Sequence, residues 1–330
     1  KQGRHSAGVA RQYCGCLGKR ANCQVLVSLT LAKDEVPVLT GLRLFLPEVW
    51  TADEARCIEA GIPEEHRQAL AKTEIALMEI DRVVAAGARF GRVVADAGYG
   101  VSAAFRSGLS RRGLVWAVGI PKVQNVYSTA VMLHWPKAST GRPRKHPMPS
   151  EDPVPAAQAL QHAKWHRISW RRGTKGPLAA EFAGVRVRPA EGEQLRQGRH
   201  LPGEEIWLVG EHRSSGERKY YLSNLPEHVD LEELAATIKA RWVCEQAHQQ
   251  MKEELGLDHF EGRSWTGLHR HALMTMIALC FLQHLRLQER GKKQESRTRR
   301  TTSATKLAGR PAPADRTAPP YLGLLPTLWC

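Results

Sequence analysis

The sequence predicts a mixed α/β fold, in which a core of strands and helices is interrupted by a β-rich insertion and followed by a disordered basic tail. Three observations predict it. Apolar β-rich runs open the chain, an apolar strand stops at Asp96 ahead of a helix and another strand, and two long periodic helices return only after a Pro-, Arg- and Trp-rich stretch.

The opening runs Gln24 to Leu31 and Val38 to Leu46 flank the turn-like Lys33-Asp34-Glu35, which suits antiparallel neighbours. Thr51 and Asp53 offer caps for a short helix, and Lys72 to Ala86 repeats apolar residues near the 3.6-residue helical period. Arg92 to Ala95 reads as a buried strand, Ser102 to Arg112 as a helix and Leu114 to Val118 as the next strand. This first part of the core spans 1–118. The insertion spans 119–225, and its clearest element is a hairpin of Ile206 to Val209 with Lys219 to Leu222 through Ser214-Ser215-Gly216-Glu217. The second part of the core, 226–288, carries the helices Leu231 to Leu255 and Leu268 to Leu287, with Gly256 as a stop for the first. The tail, 289–330, is rich in Lys, Arg, Thr, Ala and Pro and has little periodicity, so disorder is expected there.

Lys and Arg number 48 against 33 Asp and Glu, a net charge of +15, and that field attracts a polyanion. A membrane partner is disfavoured, because the longest apolar run, Ala272 to Leu282, is about half of what spans a bilayer. No secretory signal opens the chain, and its start at Lys1 reads as a fragment boundary. Seven scattered cysteines do not form a secreted disulfide framework, which points to a reducing cytoplasm. His5 with Cys14, Cys16 and Cys23 lacks the paired CxxC knuckles usual at zinc.

Asp96 ends an apolar strand and precedes Ala97-Gly98-Tyr99-Gly100. That position projects a carboxylate from a rigid base, either as a metal ligand or as the cap of the following helix. Downstream, Arg241 lies four residues before Glu245 and Lys252 seven after it, offsets that share one face of a continuous helix. Such a row is either a solvated ion-pair ladder or a carboxylate set among phosphate contacts. The segment beyond it, with Arg263, Trp265, His269 and His271, combines cations and aromatic rings suited to phosphates and bases. Between Pro153 and Ala180 no acidic residue occurs, while Lys164, Arg167, Arg171 and Arg172 interleave with Trp165 and Trp170. The tail cluster Lys292, Lys293, Arg297, Arg299 and Arg300 is expected to add nonspecific DNA contacts.

The strand-end Asp96, the Arg241-x3-Glu245-x6-Lys252 helix and the preceding Tyr220-Tyr-Leu-Ser-Asn224 resemble bacterial insertion-sequence DDE transposases of the cut-and-paste group carrying a Tyr-x2-Arg-x3-Glu-x6-Lys signature. The opening Gly3-Arg-His-Ser6 to Gly15 and Gly18 to Gln24 resemble the segment that follows the family's first catalytic strand. The resemblance covers about residues 1 to 287. It implies an RNase H-like core with a β-rich insertion, Asp96 as second metal-binding aspartate, Glu245 as catalytic glutamate, and Arg241 and Lys252 as phosphate contacts. Arg11, Arg263 and Trp265 are further expected DNA contacts. It also implies Mg²⁺ (or Mn²⁺), double-stranded insertion-sequence ends as partner, a homodimer in the DNA complex and a bacterial cytoplasmic, nucleoid-associated setting. Two departures stand out: Ile238 replaces the signature Tyr, and the first Asp has no counterpart, since Asp34, Asp53 and Asp81 fall in turns or helices. The expected activity is DNA cleavage and strand transfer, lost in this chain for want of that Asp. A DNA-binding remnant and an RNase H-like nuclease are the alternatives.

Overall fold

The computed structural model describes residues 3–14, 17–33, 35–135, 145–173, 176–195, 200–304 and 321–329. Asp34, Cys16 and Lys175 therefore lie outside the described residues, as do the side chains of Arg172 and of the basic cluster between Lys292 and Arg300. The chain forms two compact units, one built from Lys1–Phe90 with Trp242–Cys330 and the other from Gly91–Arg241.

The first unit is organised around one long strand. β1 (Ala10–Cys14), β2 (Lys19–Lys33) and β3 (Val36–Leu44) are followed by α1 (Glu48–Thr51), α2 (Glu54–Glu59) and α3 (Lys72–Ala85). The unit is completed by α8 (Trp242–Glu253), α9 (Trp265–Ala304) and β15 (Tyr321–Trp329). β2 is buried continuously from Cys23 to Thr30, as a mostly apolar run requires of a strand covered on both faces, with Gln24, Ser28 and Thr30 as its buried polar members. It pairs antiparallel with β1, β3 and β15, with Leu26 opposite Leu44 of β3 and Leu29 opposite Leu324 of β15. Its core joins Leu26, Leu39, Leu44 and Trp50 to Ala247 and Met251 of α8 and Leu268 and Leu279 of α9.

The second unit holds β4 (Arg92–Ala95), α4 (Ala97–Gly100), α5 (Ala103–Arg111), β5 (Trp116–Ile120), β6 (Asn125–Tyr127), β7 (Leu133–His134), β8 (Met148–Pro149) and β9 (Val154–Pro155). It continues through α6 (Ala156–Ala159), β10 (His166–Gly173), β11 (Gly176–Gln194), β12 (His200–Pro202), β13 (Ile206–His212), β14 (Arg218–Ser223) and α7 (Leu231–Ala240). β4 and β5 are parallel, joined through α4 and α5 in a βαβ crossover. The expected hairpin is present as antiparallel β13 and β14.

Four expectations change. The insertion is no separate subdomain: β14 pairs with β5, and β13 with β11, so the inserted strands extend the β4–β5 sheet by edge-to-edge pairing. The division therefore falls before β4, not after β5. The helix expected from Leu231 to Leu255 is interrupted at Arg241, where neither Gly nor Pro marks the break and the apolar period runs across it. Part of the tail has regular backbone structure: α9 runs to Ala304 and β15 adds to β2, while 305–320 lie outside the described residues.

Candidate active site and nucleic-acid interface

Asp96 leaves the buried end of β4 in extended conformation, and its Oδ1 accepts the backbone N–H of Gly98 at 2.9 Å and of Tyr99 at 3.3 Å. It caps α4, which fixes the carboxylate's orientation. Capping and metal ligation are compatible, because a carboxylate offers about four lone-pair sites. The glycines around it are dictated by space: a Cβ at Gly98 would lie 3.1 Å from Asp96 Oδ1, and one at Gly100 would run into the Gly119 carbonyl oxygen of β5. Tyr99 between them is buried, and burial with the nearby Asp96 charge pushes its hydroxyl pKa up.

Glu245 stands on the exposed face of α8 with Gln249, while Val243, Cys244, Ala247, His248 and Met251 are buried. Lys252 follows two turns later on the same side and is half-buried. The helix is anchored beneath Glu245 by His248, whose Nδ1 lies 2.7 Å from the Cys244 carbonyl oxygen and whose Nε2 lies 2.9 Å from Ser28 Oγ. A carbonyl only accepts, so Nδ1 carries the proton and Ser28 donates to Nε2. Burial holds the imidazole neutral, lowering its pKa to about 4.

Arg241 is the C-terminal cap of α7, in the other unit. Lys239, two residues earlier, donates to fully buried Glu211 of β13 at 2.6 Å. Glu211 also accepts from Arg213 Nε at 2.8 Å and from Tyr221 Oη of β14 at 2.7 Å. Burial alone would raise the Glu211 carboxyl, but the bonds from Lys239, Tyr221 and Arg213 overcome it and hold the pKa below its ordinary value. Sequence reading missed this network, since its members are spread along the chain from Glu211 to Lys239 and, although Tyr221 lies in the quoted Tyr220–Asn224 motif, no local spacing ties it to Glu211. The Tyr220–Asn224 motif also gains a role. Ser223 Oγ donates to the Trp116 carbonyl oxygen at 2.8 Å, and Asn224 accepts from Trp116 N–H at 2.6 Å and donates to the Leu114 oxygen at 3.0 Å, clamping the start of β5.

Arg11 on β1 and Arg263 ahead of α9 are exposed. Trp265 is 6% exposed, with His66 and His269 rings 5.1 and 4.0 Å away, and its backbone N–H donates to the Ala60 carbonyl oxygen. Its expected base-stacking role is thus corrected: its ring packs against protein. In the second unit Lys164, His166 and Arg167 are exposed, whereas Trp170 packs edge-on to Phe182 and under the Lys239 ammonium.

Carboxylate oxygens suit a hard divalent cation such as Mg²⁺ or Mn²⁺. Asp96 and Glu245 fit that donor chemistry singly, but no group of three or more His, Cys, Asp or Glu that could hold a metal ion occurs among the described residues. No described helix is long and apolar enough to cross a membrane. No curated protein matches the chain. The family described as DDE superfamily endonuclease matches residues 1–177, just over half of the chain and inclusive of Asp96, while Glu245 is assigned by its signature alone. With its mixed α+β architecture consistent with an RNase H-like fold, the chain belongs to the DDE superfamily of endonucleases, nucleic-acid phosphoryl-transfer enzymes that generally use divalent metals.

Proposed function

We propose that the chain serves DNA transposition, cutting insertion-sequence ends and joining them to a target, with Asp96 and Glu245 as its metal-holding carboxylates. The observation that carries this reading is the capped, strand-end Asp96 inside the family match, taken with an exposed Glu245 seven residues before Lys252 on one helix. Mg²⁺ (or Mn²⁺) held there would supply an activated water or 3′-hydroxyl and stabilise the leaving oxygen of the phosphodiester. The chain's own part is to fix the carboxylates, Asp96 by its capping bonds and Glu245 through the His248–Ser28 anchor below it. Arg241, Lys252, Arg263 and Arg11 are the proposed phosphate contacts on double-stranded DNA.

The test is a nicking and strand-transfer assay on insertion-sequence ends, using the protein in its natural reading frame. Asp96→Ala and Glu245→Ala should each lower metal-dependent cutting by about a hundredfold or more while leaving duplex binding in place. Cutting that survives both changes would remove the catalytic assignment, and cutting without joining would favour an RNase H-like nuclease acting on other substrates.

A further inference from the structure

We infer that Arg106 is a positioning residue for Asp96, and that Glu191, supplied by the insertion, completes the device. The inference rests on the reading of Asp96 as a metal-holding carboxylate and adds to it what keeps that carboxylate in place.

Asp96 takes its orientation from a single short turn. α4 is four residues long, too short to be stable by itself. The Gly98 and Tyr99 N–H groups that cap Asp96 Oδ1 belong to it, and the Gly100 N–H closes it by donating to the Asp96 carbonyl oxygen at 2.9 Å. Its Ala97 and Tyr99 carbonyl oxygens accept from the Val101 and Ser102 N–H groups, and its buried Gly100 oxygen accepts from Nη1 of Arg106 on α5. A buried carbonyl left unmet costs as much as a lost hydrogen bond, so this donor lets the turn end where it does. The preceding residue of α5, Phe105, lays its ring 5.6 Å from that of Tyr99. Two consecutive residues of α5 thus hold the turn that aims Asp96.

Arg106 is 1% exposed, and packing alone does not call for a guanidinium there, because a methionine or leucine fills a core position with no charge to desolvate. Its charge is met from far along the chain. Nε donates to Glu191 Oε2 at 3.0 Å, across 85 residues, and Nη2 donates to the same oxygen. Glu191 stands on β11 where the register against β12 shifts, between Ala190 and Gln194, and such an irregularity re-aims a side chain. The planar fork lets one side chain serve both ends, with Nη1 on the turn and Nε and Nη2 on the carboxylate, which the point charge of a lysine does not reproduce. The insertion therefore does more than extend the sheet: it supplies the counter-charge of the residue that holds the Asp96 turn. All of these groups lie within one unit of the chain.

The test uses the protein in its natural reading frame and two readouts, amide hydrogen exchange and the Mg²⁺ concentration that half-saturates cutting of a DNA duplex. Arg106→Lys should speed exchange at Gly98 and Tyr99 by about tenfold relative to the β13–β14 amides of the same unit. It should also raise the Mg²⁺ requirement by about tenfold with duplex affinity unchanged. Arg106→Met combined with Glu191→Met removes both buried charges and should keep the thermal midpoint near that of the unaltered chain, yet leave exchange and Mg²⁺ requirement as in Arg106→Lys. A pair that serves stability alone gives a different pattern, in which the double variant recovers midpoint, exchange and metal requirement together. That pattern, or unmoved exchange at Gly98 and Tyr99 in Arg106→Lys, would overturn the inference. Should either variant lose its native circular dichroism, Glu191→Gln, which keeps an acceptor oxygen and removes only the charge, is judged in its place and should move both readouts in the same direction by a smaller factor. Asp96→Ala keeps the two readings apart. Cutting that survives it overturns the catalytic reading, whereas Asp96-dependent cutting with an unmoved Mg²⁺ requirement in the Arg106 variants overturns the role of Arg106 alone.

Discussion

At the scale of single residues, burial decides what ionisable groups do. His248 is held neutral with a pKa near 4, against about 6.5 in an unfolded chain, so the unfolded state takes up its proton first as pH falls. Its contribution is complete above about pH 6.5 and declines toward pH 4, by up to about 3 kcal/mol. Urea denaturation as a function of pH should show this slope, and His248→Gln should flatten it; a slope unchanged by the substitution would place its origin elsewhere. Glu211 adds to acid sensitivity at lower pH, because its carboxyl is held below the ordinary range and loses its bonds when protonated. Lys239→Met removes the closest cation from that fully buried carboxylate and should cost about 3 kcal/mol, part of which Glu211→Met in the same chain should recover. A loss under about 1 kcal/mol from Lys239→Met would mean that water screens the pair.

At the scale of elements, α4 and α8 carry the candidate carboxylates for different reasons. The short α4 lies with its backbone against β5 because Gly100 has no side chain, and Gly100→Ala should destabilise the protein by more than about 2 kcal/mol by driving a methyl into the Gly119 carbonyl. A thermal midpoint unmoved by that change would contradict the close approach. α8 buries one face and leaves Glu245 and Lys252 on the other side. If Lys252 meets phosphate, Lys252→Ala weakens binding to all duplexes alike and shrinks the slope of log affinity against log salt by about one. Fluorescence anisotropy across a salt series measures it, and an unchanged slope would mean a solvated side chain instead. The sequence carried α3 and β4 almost to the residue and located the β13–β14 hairpin, whose first strand runs three residues further than expected, because each is written in local spacing. It missed β1, a polar alternating strand, and it joined α7 to α8 because periodicity does not register a break lacking Gly or Pro.

At the scale of the whole molecule, β2 depends on a strand from the far end of the chain. β15 pairs with β2 from Gln24 to Ala32, so deleting Tyr321–Trp329 should speed amide exchange along that stretch while the β13–β14 amides keep their protection. Equal exchange in both forms would show that β15 adds nothing to the edge. The sequence by itself determined the mixed fold class, the DDE superfamily, and the placement of Asp96 at a strand end and of Glu245 on a helix, because strand ends, helix periods and signature spacings are properties of neighbouring residues. Tertiary structure alone decided that the insertion continues the β4–β5 sheet, that Trp265 packs against histidines, and that Glu211 gathers Lys239, Arg213 and Tyr221. The physical reason is that strand pairing is made by backbone groups every residue shares, and a buried charge is satisfied by whichever partners the fold brings within about 3 Å, so neither leaves a pattern in local sequence.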